Sequence, residues 1–308
     1  MPPMLPLELQ LDILRLALPP LVSISLRERA KACLAYALVH RSWTPVALQE
    51  LHEHLTVTFG LSVRSVEAAA AKLAGARAGG WAVKRLHVDV RNDVGRNGDP
   101  DSFIDQAMRG GTVEELWMWD YDADKYLPRL LPDTLRRVHL NLQLSDRTNE
   151  ILAFPFAHLT YLEIIDAALY PFPSMPQLTA FLCHELSLEW SGPDNRFLDS
   201  MPSLRNLALS LSRPSIATSI GYLPPTLRHL AYDADEQEDS PWSEDRRPLV
   251  ANLAKNLVSC TTFGSRPAEN AMSAMLEEEC QKAGTRWTHV DYDSEWDSET
   301  WAWSVNAQ

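Results

Sequence analysis

The chain is poor in the features that announce chemistry. It has four cysteines in 308 residues, Cys33, Cys183, Cys260 and Cys280. They lie far apart and none sits in a CxxC pair, which argues against a disulfide framework and a zinc site and for buried thiols in a reducing compartment. Glycine is sparse, at 12 residues, and no GxGxxG, GxxxxGK[ST], GxSxG or HExxH occurs, so no phosphate loop, nucleophile elbow or zinc-protease helix is expected. Positive charge is in the minority: 28 Lys and Arg against 41 Asp and Glu give a net charge of −13. Such a chain is a poor ligand for a phosphate backbone or an anionic membrane surface. No stretch reaches the roughly 18 apolar residues of a membrane span. The opening, Met1-Pro2-Pro3-Met4, has no basic stretch and no apolar run, so no secretory signal is expected. These absences point to a cytoplasmic or nuclear protein with no catalytic residue, metal or cofactor, whose partners are proteins and neither nucleic acid nor membrane.

Hydrophobic residues make up 45% of the chain, ample for a core. The first fifty-odd residues read as three short helices. Pro6 suits the first helical position, and Leu5, Leu9, Ile13 and Leu16 fall on one face behind it. Pro19-Pro20 stops that helix. Ser25 with Glu28 forms a capping-box pattern for a second helix through Leu38. Thr44 followed by Pro45 opens a third towards His54. The first helix is apolar around nearly its whole circumference, more than so small a hairpin can bury by itself. Part of that surface is therefore expected to be covered by a partner or by the following domain.

The segment "LPLELQLDILRLAL…CLAYALVHRSW" resembles an F-box. The matching residues are Leu5, Pro6, Glu8, Ile13, Leu14, Leu38, Val39, Arg41 and Trp43, over about residues 4–55. The spacer with Pro19 and Pro20 is longer and richer in proline than the usual pattern. The resemblance implies binding to a Skp-family adaptor and, through it, to a cullin-based ubiquitin ligase complex. The adaptor surface would comprise Leu5, Pro6, Leu9, Ile13, Leu14, Leu38, Val39, Arg41 and Trp43. The alternative from the residues alone is a plain helical cap that shields the first unit of a repeat array.

Behind the hairpin a pattern of the form L-x-x-L-x-L recurs. It reads Val83-Leu86-Val88, Val113-Leu116-Met118, Leu135-Val138-Leu140, Leu159-Leu162-Ile164, Leu178-Phe181-Cys183, Leu204-Leu207-Leu209 and Leu227-Leu230-Tyr232. The first anchors, at 83, 113, 135, 159, 178, 204 and 227, are separated by 30, 22, 24, 19, 26 and 23 residues. Such periods belong to solenoids whose units cannot bury an apolar side alone. Leu55-Val57-Phe59 suits an earlier strand, and Cys260-Phe263 and Trp287-Val290-Tyr292 two later ones. Proline precedes several strands, in "LPDTLRRVHL", "MPQLTAFLC", "MPSLRNLAL" and "LPPTLRHLAY", as a short helix or turn that ends before the strand begins. The region from Ser65 to Ala78 reads as a helix between two strands. The whole resembles the leucine-rich-repeat proteins fused to F-boxes, common in fungi and plants, in a degenerate form. The expected architecture is α/β: an F-box-like module over residues 1–55, then an irregular leucine-rich-repeat arc with a parallel sheet over 56–308, closed by an acidic C-terminal cap holding Trp296, Trp301 and Trp303. The alternative is an ordinary α/β domain.

Strand periodicity sends the anchors into the core and the residues between them to the other face, the usual binding surface of a solenoid. Candidate contacts to a protein substrate are Arg85, Trp117, Trp119, Arg137, His139, Tyr161 and Glu163. Two states are open for Trp117 and Trp119: outward as interface anchors, or buried beneath the C-terminal segment. The histidines lie on different repeats and are not spaced as metal ligands. The acidic tail 291–302 has Trp296 where a calcium loop needs glycine and Ala302 where it needs a bidentate acid. A polysaccharide-cleaving β-helix would need clustered acids on successive strands, whereas Asp89 and Asp120 stand alone. The functional expectation is a substrate-recognition subunit of a ubiquitin ligase. The alternative is a repeat scaffold with no ubiquitin role.

Overall fold

The structure, a computed structural model, describes residues 5–19, 26–59, 63–90, 100–109, 111–119, 134–141, 158–165, 174–184, 197–210, 223–233, 246–264, 271–290 and 301. Among these residues the chain forms α1 (Leu7–Ala17), α2 (Leu26–Val39), α3 (Thr44–Glu53), β1 (His54–Phe59), α4 (Val63–Ala78), β2 (Arg85–Val90), α5 (Pro100–Met108) and β3 (Glu115–Trp119). There follow β4 (Arg137–Asn141), β5 (Tyr161–Ile165), β6 (Ala180–His184), β7 (Asn206–Ser210), β8 (His229–Asp233), α6 (Arg247–Asn256), β9 (Ser259–Phe263), α7 (Ala271–Ala283) and β10 (Arg286–Val290). The fold is α/β, and its ten strands follow one another in chain order in an open sheet. The order never reverses, so the sheet has no topological switch point, where doubly wound folds bind their ligands. The chain divides into two compact units, Met1–Leu116 and Trp117–Gln308, with the division inside β3. The expected motif boundary at 55/56 falls within the first unit.

In the first unit, α1, α2 and α3 enclose a small core of Leu14, Leu18 and Cys33, flanked by Tyr36, Trp43, Val46 and Leu51. Pro6 is the residue before the first helical turn, one position earlier than expected. Trp43 likewise precedes α3, with Thr44 and Pro45 inside it, and the Thr44 hydroxyl donates back to the Ala37 carbonyl at 2.7 Å. α3 runs directly into β1, which pairs in parallel with β2 in the register Leu55 with Leu86 and Val57 with Val88. α4 makes the crossover and buries Ala69, Leu73 and Ala76, a helical face by their spacing. It ends at Gly80, whose φ of 71° is a left-handed cap, with the Trp81 N–H reaching back to the Ala76 carbonyl at 2.9 Å.

In the second unit every pairing from β4 to β10 is parallel. The register aligns the anchors into rows. Val138, Leu162, Phe181, Leu207, Leu230 and Cys260 form one continuous row, and each is fully buried. The proline before a strand sits in a β-turn: the N–H of Leu178, Leu204 and Leu227 reaches the carbonyl of Met175, Met201 and Pro224, three residues back. Proline at the second turn position presets the required φ. These turns take the place of the short helix that the sequence left open there. In three units a hydroxyl just before the first anchor stitches the unit to the one before it. Ser203 donates to the Pro176 carbonyl at 2.6 Å and Thr226 to Leu204 at 2.8 Å, as Thr112 does to Val83 at 2.8 Å in the first unit.

Candidate functional site

The residues of the F-box-like pattern divide by the way they point. On α1, Leu9, Ile13 and Leu16 recur at helical spacing on an outer face, and Ile13 is 52% exposed. Leu14 lies on the inner face at 2% exposure. Leu5 is exposed just ahead of α1, and at the end of α2 Leu38 is 89% exposed with Val39 beside it. Pro6 and Arg41 are also exposed. Trp43 is half-buried in the hairpin core, with its indole N–H donating to Gln10 Oε1 at 3.2 Å and its ring edge-on to Tyr36. Of the nine expected adaptor-binding residues, Leu14 and Trp43 thus support the surface from within. Sequence reading missed Gln10, and also the pairing of Arg29 on α2 with Glu50 on α3 at 2.8 Å. Both are polar residues whose partners lie across the hairpin, outside any local pattern.

Most of the residues expected to contact substrate are brought together, but they are not free. Trp117 stacks on His139 with ring centroids 4.0 Å apart, and His139 lies 4.7 Å from the Tyr161 ring. The Arg137 guanidinium sits over Tyr161 at 4.2 Å, as the register pairing of Arg137 with Tyr161 allows. Glu163 Oε2 accepts from the Tyr161 hydroxyl at 3.0 Å and lies 2.6 Å from His139 Nδ1. Burial and, secondarily, the Glu163 carboxylate push the Cys183 thiol up, which leaves it a neutral, unreactive group. Trp117 is only 5% exposed, and His139, Tyr161 and Glu163 are buried as well, whereas Trp119 is 48% exposed. The expectation of an outward-facing set is therefore corrected: on this strand face Trp119 is open, Arg137 is half-buried, and the other four form a buried polar-aromatic network. Arg85 lies in the first unit, where its Nε is 3.4 Å from Glu115.

No family model matches the chain, and no curated protein matches it.

At Tyr161 and beyond, the burial of this face has a visible cause in the second unit. Tyr161, Ala180, Leu182, Ala208, Ala231 and Phe263 form a cluster that includes Trp301. All the strand residues in it lie on the side opposite the anchor row. Trp301 is thus found on the sheet face, where it had been expected on the last repeat; Trp296 and Trp303 lie outside the described residues. The sequence held a signal for this. In β6, β7 and β8 the positions between anchors, Leu182, Ala208 and Ala231, are themselves apolar, and such continuous runs mark a parallel strand covered on both faces. Among the described residues no three His, Cys, Asp or Glu side chains are grouped to hold a metal ion, and no helix is long and apolar enough to cross a membrane.

Proposed function

We propose that the chain is a substrate-recognition subunit of a cullin-type ubiquitin ligase, with the N-terminal hairpin as the adaptor-binding module and the repeats as the substrate-binding part. The observation that carries this reading is the exposure of Leu5, Leu9, Ile13, Leu38 and Val39, the apolar residues that the F-box-like pattern selects. Apolar side chains exposed in such number on a small hairpin are characteristic of an interaction site. The strand order, without reversal, and the recurring hydroxyl stitches support the repeat reading, because they are what successive stacked units produce. Within the second unit Trp119 is the candidate anchor for a protein substrate. An exposed tryptophan is a residue typical of interface hot spots.

The test is co-purification of the full chain with a Skp-family adaptor. Wild type is expected to bind. Ile13→Asp is expected to lose binding while keeping its fold, because it places a charge on an apolar contact that is open in the free protein. A wild-type chain that binds no such adaptor removes the ligase reading and leaves the interaction scaffold.

A further inference from the structure

A cavity of about 290 Å³ lies within the first unit, between α2, α3, α4 and the first two strands. No part of the adaptor or substrate reading uses it. Its walls are of two kinds. Ala30, Cys33 and Leu51 supply carbon and a thiol that burial keeps neutral. Arg29, His54 and Lys72 supply nitrogen.

The nitrogen groups are incompletely satisfied. Lys72 Nζ donates to the His54 carbonyl at 2.8 Å, and among the described residues no carboxylate lies within ion-pair distance of it. An ammonium carries three donors, so it has capacity left. Arg29 is balanced differently. Its Nη1 donates to the Pro19 carbonyl at 2.6 Å and its Nη2 to Glu50 at 2.8 Å, yet its Nε is buried without a partner. The His54 ring has Nε2 3.0 Å from the Thr56 hydroxyl, and its Nδ1 is buried without a partner. Where Nε2 accepts from Thr56, the neutral ring carries its proton on Nδ1 and is a donor there. Buried donors left unpaired are costly, and two of them around one cavity, with an ammonium that has donors to spare, mark the place of an acceptor.

We propose that this cavity binds a small amphipathic carboxylate, its head on Lys72, His54 and Arg29 and its short apolar body against Ala30, Cys33 and Leu51. The wall carries three cations, Arg27, Arg29 and Lys72, against the one carboxylate of Glu50, a surplus that suits an anion. The volume lies at the small end of ligand sites, and the carbon walls favour an acid with a hydrocarbon body over a bare ion.

The experiment uses the full chain with hexanoate as probe, and hexanol and inorganic phosphate as controls, followed by thermal melting and by calorimetric titration. Hexanoate is expected to raise the melting temperature in a dose-dependent way, and hexanol and phosphate at equal concentration to do so far less. Lys72→Met keeps the stem and removes the charge, and is expected to weaken hexanoate binding by at least about tenfold, while Lys72→Arg retains it. Equal stabilisation by hexanol or by phosphate overturns the proposal, and so does unchanged hexanoate affinity in Lys72→Met. No effect of hexanoate up to its solubility limit also overturns it. Should Lys72→Met fail to fold, the comparison of the three probes on wild type decides. None of these outcomes depends on adaptor binding, so the two readings stand or fall separately.

Discussion

Trp117 and Trp119 occupy alternate positions of one strand and point to the same side, yet one is buried and the other half exposed. The difference lies in the neighbour: Trp117 has the His139 ring stacked against it, and His139 is in turn fixed by Glu163. Truncating Trp117 removes that stack and opens a cavity. Trp117→Ala is therefore expected to cost about 3–5 kcal/mol, and Trp119→Ala less than about 1 kcal/mol, in chemical denaturation; equal losses would show that exposure does not separate the two rings. His54 provides a second residue-scale test, through pH. Burial, then the charges of Lys72, His87 and Arg85, opposed by Glu115, lower its pKa from 6.5 to about 3. The folded state thus binds this proton less readily than the unfolded one. The stabilisation is complete above the unfolded pKa and is lost as pH falls from about 6.5 towards 3, with a slope of at most about 1.4 kcal/mol per pH unit. In the His54→Gln variant that part of the slope should vanish between pH 7 and pH 4; an unchanged slope would place the ring in water.

Among the helices, α1 shows what a local pattern can and cannot decide. Its spacing predicts apolar residues around nearly the whole circumference and an excess of apolar surface; in the structure Leu14 and Leu18 are inside, and Leu9, Ile13 and Leu16 outside. The same comparison sharpens the Ile13→Asp test. Leu14→Asp puts the charge into the core of Leu18 and Cys33 and should unfold the hairpin, whereas Ile13→Asp should melt with wild type. Circular dichroism separates the two, and a matched loss in both would show the outer face to be core. The strands were legible for a related reason. Leu116, Leu162, Leu207 and Leu230 repeat at the second anchor of their units and Leu140 at the third of its own, and all are buried. The polar face was not legible in the same way. Period two assigns Trp117, His139, Tyr161 and Glu163 to one side correctly, but says nothing of what covers that side. Their state depends on cross-strand neighbours 20 or more positions away, such as Glu163 beneath His139, 24 residues apart, and for Tyr161 on the distant Trp301 as well.

At the scale of the whole molecule the decisive contact joins distant parts of the sequence. Trp301 shares a buried cluster with Tyr161, 140 positions earlier, and with Leu182, Ala208, Ala231 and Phe263 on four strands of the second unit. Alanines at 180, 208 and 231 leave room above the sheet, and a single large ring fills it. Small residues on the strands and a large one above them are complementary in volume, as close packing demands. The tail around Trp301 is acidic, with Asp291, Asp293, Glu295, Asp297 and Glu299 before it, in a chain already at −13. Trp301→Ala is expected to cost about 3–5 kcal/mol and to expose the alanine-lined face, which a dye that binds apolar surface would report. Trp301→Phe should recover most of the loss, because it refills the space. Raising the salt concentration should stabilise wild type more than a variant whose five tail carboxylates are neutralised, since salt relieves only repulsion that is present. If Trp301→Ala melts as wild type does and binds no dye, the ring is not what covers this face, and the residues around Tyr161 and Leu182 are free to meet a partner.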